Sequence, residues 1–246
     1  MTPTVVLSNS LGTTSALWDA QVPALEPHFR VVRYDHRGHG ASDAPPGPYT
    51  VEELARDVIA LLDRLGLERV SFCGLSLGGM VGMSLALQAP ERLDRLVLCC
   101  TSAYLGPPET WSERAQLVRA EGPGAIADAV LGRWFTERFH AEQPGTVARF
   151  RDMITATPRE GYAACCEAIR GWDARATIHA IAAPTLVIAG AGDPSTPPEH
   201  ARLIAGEIPG ARLVVLEGAA HLANVEQAEA LNEALLDHLL RLEVTS

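Results

Sequence analysis

The chain has 246 residues, 47% of them hydrophobic, and a formal net charge of −10. That length and apolar content suit one large α/β domain with a sizeable core and exclude a disordered chain. The acidic balance, without a basic run, argues against nucleic acid or an anionic membrane surface as a partner, and no apolar run approaches the roughly 20 residues of a bilayer span.

All 20 basic residues are arginine. A Schiff-base lysine and a Walker-type phosphate loop are therefore excluded. The five cysteines, Cys73, Cys99, Cys100, Cys165 and Cys166, form neither a disulfide framework nor a zinc-ligand spacing and read as buried free thiols. The first seven residues carry no basic region and no long apolar core, so no signal peptide is read there and a cytoplasmic location is expected.

Pro3 to Leu7 is a short β-branched run, read as a buried strand. It opens into the polar loop Ser8 to Thr14. Arg30 to Asp35 reads as the next strand and runs into His36-Arg37-Gly38-His39-Gly40-Ala41-Ser42-Asp43. This loop is expected to be structural, with Arg37 and Asp35 holding it by charged hydrogen bonds. His36 and His39 lack the company of carboxylates or thiols that a metal site would need.

After a proline-rich break, Thr50 followed by Glu53 is a capping box for a helix with apolar positions Val51, Leu54, Val58, Leu61, Leu62 and Leu65, stopped by Gly66. Arg69 to Cys73 is a strand. Met80 to Gln88 is an apolar helical run. Between them lies Gly74-Leu75-Ser76-Leu77-Gly78, the strand–turn–helix pattern that stands a serine hydroxyl at the tip of a strained turn, where the flanking glycines have no room for a Cβ. Arg95 to Cys100 is a fourth strand.

From about Ala103 to Ile178 only helical periodicity appears, with candidate helices Trp111–Glu121, Gly124–Arg133, Thr146–Ala156 and Arg159–Trp172. This segment holds Trp111, Trp134 and Trp172 and reads as a cap shaping an apolar pocket, with Trp111 assigned to gluing cap to core. Strands resume at Pro184 to Ala189 and at Ala211 to Leu216. The loop after the first carries Asp193, and the loop after the second carries His221. Asn224 with Gln227 is expected to cap the last helix.

Ser76, Asp193 and His221 each follow a strand, in the chain order of the α/β-hydrolase triad. The roles that follow are nucleophile for Ser76, general base for His221 and tautomer-fixing carboxylate for Asp193, with the backbone N–H groups of Leu77 and Leu11 as the oxyanion hole. The expected architecture is an α/β-hydrolase fold. A mostly parallel sheet of about six strands forms the core (1–102 and 179–246), and a helical cap (103–178) is inserted after the fourth strand.

The chain resembles the 3-oxoadipate enol-lactonases of aromatic degradation. The resemblance rests on Leu7-Ser-Asn-Ser-Leu-Gly-Thr13, Asp35-His-Arg-Gly-His-Gly40, Phe72-Cys-Gly-Leu-Ser-Leu-Gly-Gly-Met80, Arg133-Trp-Phe135, Tyr162 to Arg170, Gly192 to Pro197 and Ala220 to Glu226. It implies a serine hydrolase that opens a small anionic enol-lactone, with no metal or organic cofactor. The substrate carboxylate would then need a cation: Arg133 beside Trp134 first, Arg170 second. Against relatives that begin with a β-hairpin, the chain starts at the strand feeding the oxyanion loop, so the sheet edge near Val31 is expected to be open or to form an interface. Oligomeric state is left undetermined. The competing readings are a generic carboxylesterase or cofactor-free perhydrolase of the same fold and, more remotely, a non-catalytic ligand receptor.

Overall fold

A computed structural model describes residues 2–241. Six strands form one sheet: β1 (Thr4–Ser8), β2 (Arg30–Arg33), β3 (Val70–Leu75), β4 (Leu93–Cys99), β5 (Thr185–Gly190) and β6 (Arg212–Leu216). Their order is β2-β1-β3-β4-β5-β6, and every neighbouring pair is parallel. β1, β3 and β5 are buried at every residue. That is why they read as continuous apolar runs rather than as alternating ones: helices cover both faces of a parallel sheet. β2 lies at one edge with Val31 and Val32 only half-buried, where the sequence places the open edge.

A single turn, α1 (Val22–Leu25), precedes β2, and α2 (Val51–Arg64) follows its loop. The capping box of α2 is closed in both directions. Thr50 Oγ1 accepts from Glu53 N at 3.1 Å, and Glu53 Oε2 accepts from Thr50 N at 2.9 Å. α3 (Leu77–Gln88) is buried at every residue from Leu77 to Ala86, so it carries no polar stripe.

Between β4 and β5 the chain is helical: α4 (Pro108–Glu121), α5 (Ala127–Trp134), α6 (Glu137–Glu142), α7 (Pro144–Ala156) and α8 (Arg159–Gly171). α6 has no counterpart in the sequence expectation. It is only six residues long and is started by Thr136, whose side chain accepts from Phe139 N. The segment is fastened where it enters and leaves. Tyr104 and Asp173 form an antiparallel bridge, Ala174 N donates to Ala103 O at 2.8 Å, and Trp172 Nε1 donates to Ser102 O at 3.1 Å. Within it, Arg119 of α4 forks onto Glu160 and Glu167 of α8 at 2.7–3.0 Å. The chain ends its described part with α9 (Pro198–Glu207), α10 (Ala223–Glu226) and α11 (Ala228–Leu239).

Two local expectations are corrected. Asn224 caps nothing. It is buried, and its side-chain amide donates to Leu17 O and Gln21 Oε1, tying α10 to the segment before α1, while the chain breaks at Gln227 into two helices. Asp35 holds its own loop as expected, but Arg37 does not. The Arg37 guanidinium forks onto Asp57 of α2, while Asp35 accepts the backbone N–H groups of Ser15 (2.6 Å) and Ala41 (3.0 Å). All five cysteines are free and buried.

The helical segment meets the core at one close backbone contact. A Cβ on Gly161 of α8 would overlap the backbone of Gly38, and one on Gly38, which sits at φ +77°, would overlap Gly161. Gly161→Ala therefore forces the two apart and should lower Tm by about 5 °C, as overpacking of about 1–3 kcal/mol does in a chain of this size. Gly132→Ala on α5, where an added Cβ meets nothing within 4 Å, should hold or raise Tm. Calorimetry on both variants checks the pair; an unchanged Tm for Gly161→Ala would refute the close contact.

Burial holds His36, His39 and His238 neutral, pushing each down to about 4. Asp35 near His36 and His39 pulls the other way, and Arg95 adds to the effect at His238. The unfolded chain takes up these protons near pH 6.5 and the folded chain only near 4. Stability is therefore full above about 6.5 and falls as pH drops toward 4. Urea denaturation at pH 7.5 and pH 5 should give the lower unfolding free energy at pH 5.

Candidate active site

Ser76 follows β3 and precedes α3 at φ 57°, ψ −115°, one of two non-glycine residues with positive φ among the described residues. A side chain pays strain to stand there. The turn is fixed by Ser76 N donating to Cys99 O at 2.9 Å and by Thr101 Oγ1 donating to Ser76 O at 2.6 Å. A Cβ on Gly74 would overlap the Gly78 carbonyl, and one on Gly78 would overlap the Ser8 carbonyl. The glycine bracket seen in the sequence is thus a steric requirement of the turn.

Asp193, in the loop after β5, and His221, in the loop after β6, are both almost fully buried. His221 Nδ1 donates to Asp193 Oδ2 at 2.8 Å. Asp193 is itself held by Ser195 N (2.7 Å), Thr196 N (3.1 Å) and Thr196 Oγ1 (2.7 Å). Burial pushes the Asp193 carboxyl up, but the charge and hydrogen bond of His221 and the bonds from Thr196 outweigh it and leave it below the ordinary value. With Asp193 on the Nδ1 edge, the Nε2 edge of His221 has no hydrogen-bond partner among the described residues, and neither has the Ser76 hydroxyl. Both residues line one cavity of about 460 Å³.

Leu11 and Ser10 line the same cavity. Ser10 O accepts from Thr13 N (3.2 Å) and Thr13 Oγ1 (2.8 Å). That fixes the peptide whose other end is the Leu11 N–H, and this N–H has no protein acceptor among the described residues. Leu77 N–H is likewise free as the first residue of α3. Two unpaired backbone donors thus belong to the cavity wall and to the residue after the serine.

Arg133 and Trp134, at the end of α5, also line the cavity. Trp134 is buried edge-on to Phe150, and its carbonyl accepts from Leu222 N at 3.0 Å, beside His221. Arg170 is exposed, donates to Ser112 Oγ and is not part of the cavity wall. The second cation of the wall is Arg114, which sequence reading passed over. Only its position one helical turn from Trp111 on α4 could have flagged it. Trp111, expected to glue cap to core, lines the cavity instead, with Arg114 over its ring at 5.1 Å and its Nε1 donating to Leu105 O.

Among the described residues neither Arg114 nor Arg133 has a carboxylate within ion-pair distance. Burial, and then the charge of Arg114, hold the Arg133 guanidinium below its ordinary value. A bound anion would relieve both penalties. No group of three or more His, Cys, Asp or Glu that could hold a metal ion occurs among the described residues. No helix among them is long and apolar enough to cross a membrane.

Comparison with known proteins agrees with this fold. Residues 3–228 match the family model of the alpha/beta hydrolase fold. The chain is 42% identical over 233 residues to 3-oxoadipate enol-lactonase 2 of Acinetobacter baylyi, covering 95% of this chain and 87% of that one. The crystal structure of the enol-lactonase from Burkholderia xenovorans superposes with a TM-score of 0.96 at 47% identity, covering 98% of this chain and 92% of that one. A putative carbamate hydrolase RutD of Stutzerimonas stutzeri is 33% identical over 248 residues, covering 96% of this chain and 91% of its own. The chain therefore belongs to the α/β-hydrolase family and, within it, to the 3-oxoadipate enol-lactonases, enzymes that hydrolyse ester bonds.

Proposed function

We propose that the enzyme opens 3-oxoadipate enol-lactone, a five-membered enol-lactone bearing an acetate arm, to 3-oxoadipate in the cytoplasm. The observation that carries this reading is the pair of carboxylate-free arginines, Arg114 and Arg133, on the wall of the cavity that also meets Ser76 and His221. A plain ester needs no such pair. A substrate whose carboxylate lies away from its scissile carbonyl does.

Ser76 Oγ attacks the lactone carbonyl while His221 Nε2 takes its proton. Asp193 holds the opposite edge of the ring and stabilises the imidazolium. The N–H groups of Leu11 and Leu77 receive the tetrahedral oxyanion. The ring C–O bond breaks, His221 returns the proton to the leaving oxygen, and the resulting enol tautomerises to a ketone. The acyl chain stays on Ser76. A water molecule, deprotonated by His221, then attacks that ester, and the proton goes back to Ser76 Oγ as the acid departs. The helical segment 103–178 acts as the cap that closes this chemistry off from bulk water, with Trp134 as part of its apolar wall.

Support for the substrate comes from the named enol-lactonases among the relatives. The carbamate hydrolase relative shares the scaffold, and a carbamate would also put its carbonyl at Ser76. Rates decide. Ser76→Ala should cut kcat on the enol-lactone by about 10³-fold or more. Arg133→Ala and Arg114→Ala should each raise KM for the lactone about 10- to 100-fold, the value of a lost charge-assisted contact, and should leave p-nitrophenyl acetate hydrolysis within about threefold. Fast cleavage of p-nitrophenyl acetate with none of the lactone would keep the serine mechanism and overturn the substrate.

A further inference from the structure

The loop after β2 grips the loop after β1 at four points. Tyr34 O accepts from Asn9 Nδ2 at 2.7 Å. His36 Nε2 donates to Asn9 O at 3.0 Å. Gly12 N donates to His39 Nε2 at 2.9 Å. Asp35 Oδ1 accepts from Ser15 N at 2.6 Å. Three of the four bracket the Ser10–Leu11 peptide, and the Leu11 N–H of that peptide is the one left without an acceptor.

We infer that His39 is a positioning residue for the oxyanion hole: its Nε2 lone pair fixes the Leu11–Gly12 peptide and thereby aims the Leu11 N–H at the oxygen above Ser76. The Ser10–Leu11 peptide has three handles. Its carbonyl is bonded to Thr13. The peptide before it is held at Asn9 O by Gly78 N (3.0 Å) and by His36. Among the described residues the peptide after it is held by His39 alone, Gly12 N having no other acceptor there. Gly12 sits at φ +77°, with the Tyr162 ring closing the space a Cβ would need. Accepting at Nε2 requires the proton on Nδ1, where the Arg37 carbonyl lies at 3.4 Å. His39 is fully buried and stacks edge-on against His36 at 6.3 Å, and His36 stacks in the same way against Tyr34. The imidazole therefore has one orientation. The two histidines that look like stray ligands in the sequence act here as hydrogen-bonding struts.

This inference rests on Ser76 being acylated with Leu11 as an oxyanion donor. It does not depend on which ester is cleaved, so kinetics are measured on both the enol-lactone and p-nitrophenyl acetate. His39→Gln can place its Oε1 where Nε2 stands. His39→Asn can reach only the Arg37 side. His39→Leu can accept nowhere. The expected result is kcat reduced about 10- to 100-fold in His39→Leu and His39→Asn on both esters, with KM within about twofold, and kcat in His39→Gln within about threefold of wild type. Should His39→Leu fail to fold, the Asn and Gln pair, alike in polarity and different in reach, still decides. An equal loss in Asn and Gln, a loss carried by KM, or kcat unchanged in His39→Asn would each overturn the assignment. Wild type inert on both esters would overturn the serine mechanism, and this assignment with it.

Discussion

The site depends on one close approach: the backbone of Gly78, the second residue of α3, lies against the carbonyl of Ser8 at the end of β1, with no space for a side chain between them. At that distance Gly78 N can donate to Asn9 O at 3.0 Å. The bond joins the serine turn to the loop that carries Leu11, and so sets the distance between the unpaired N–H groups of Leu11 and Leu77. Any residue larger than glycine at position 78 would push α3 off β1 and open that gap. Ser76 in turn is held at a positive φ that costs roughly 1–3 kcal/mol. The flanking bonds to Cys99 O and from Thr101 Oγ1 hold it there.

Much of this was legible in the sequence because the constraints are local and steric. Gly74 and Gly78 announce the turn, continuous apolar runs announce a sheet covered on both faces, and Thr50 with Glu53 announces α2. The order Ser76, Asp193, His221 carries the topology of the sheet in it. What sequence could not give is which polar groups meet across the fold. Asn224 and Gln227 have the spacing of a cap, yet a core loop claims the Asn224 amide first, because a buried amide needs several partners and the loop around Leu17 and Gln21 offers them. Arg37 finds Asp57, 20 residues away, rather than a partner in its own loop. Arg114 was invisible for the same reason. Its place beside Arg133 is decided by how α4 packs on α8 and on the turn before α5, and no period in the sequence encodes that packing.

The helical segment and the sheet are also coupled at the His221 loop. Glu226 accepts from Thr136 N and Thr136 Oγ1, both at 2.8 Å, and from Ala220 N at 2.5 Å, while Leu222 N donates to the Trp134 carbonyl. One carboxylate and one main-chain hydrogen bond thus fasten the residues on either side of His221 to the start of α6 and the end of α5. The wall that carries Arg133 and the loop that carries the imidazole cannot shift independently by much. Substrate orientation and proton transfer are set by the same short run of chain.

The arginine pair also resolves an apparent conflict between the protein's charge and its proposed chemistry. At −10 overall the surface repels an anion, but that field is screened over about 8–10 Å in physiological salt. Inside the cavity two guanidinium groups without carboxylate partners among the described residues dominate at contact range. The balance changes in the course of the proposed reaction. The lactone enters with one negative charge, and the opened product carries two, one of them newly formed beside Ser76, away from the arginines. The cavity arginines therefore hold the monoanion through its carboxylate arm, and the second carboxylate forms away from them.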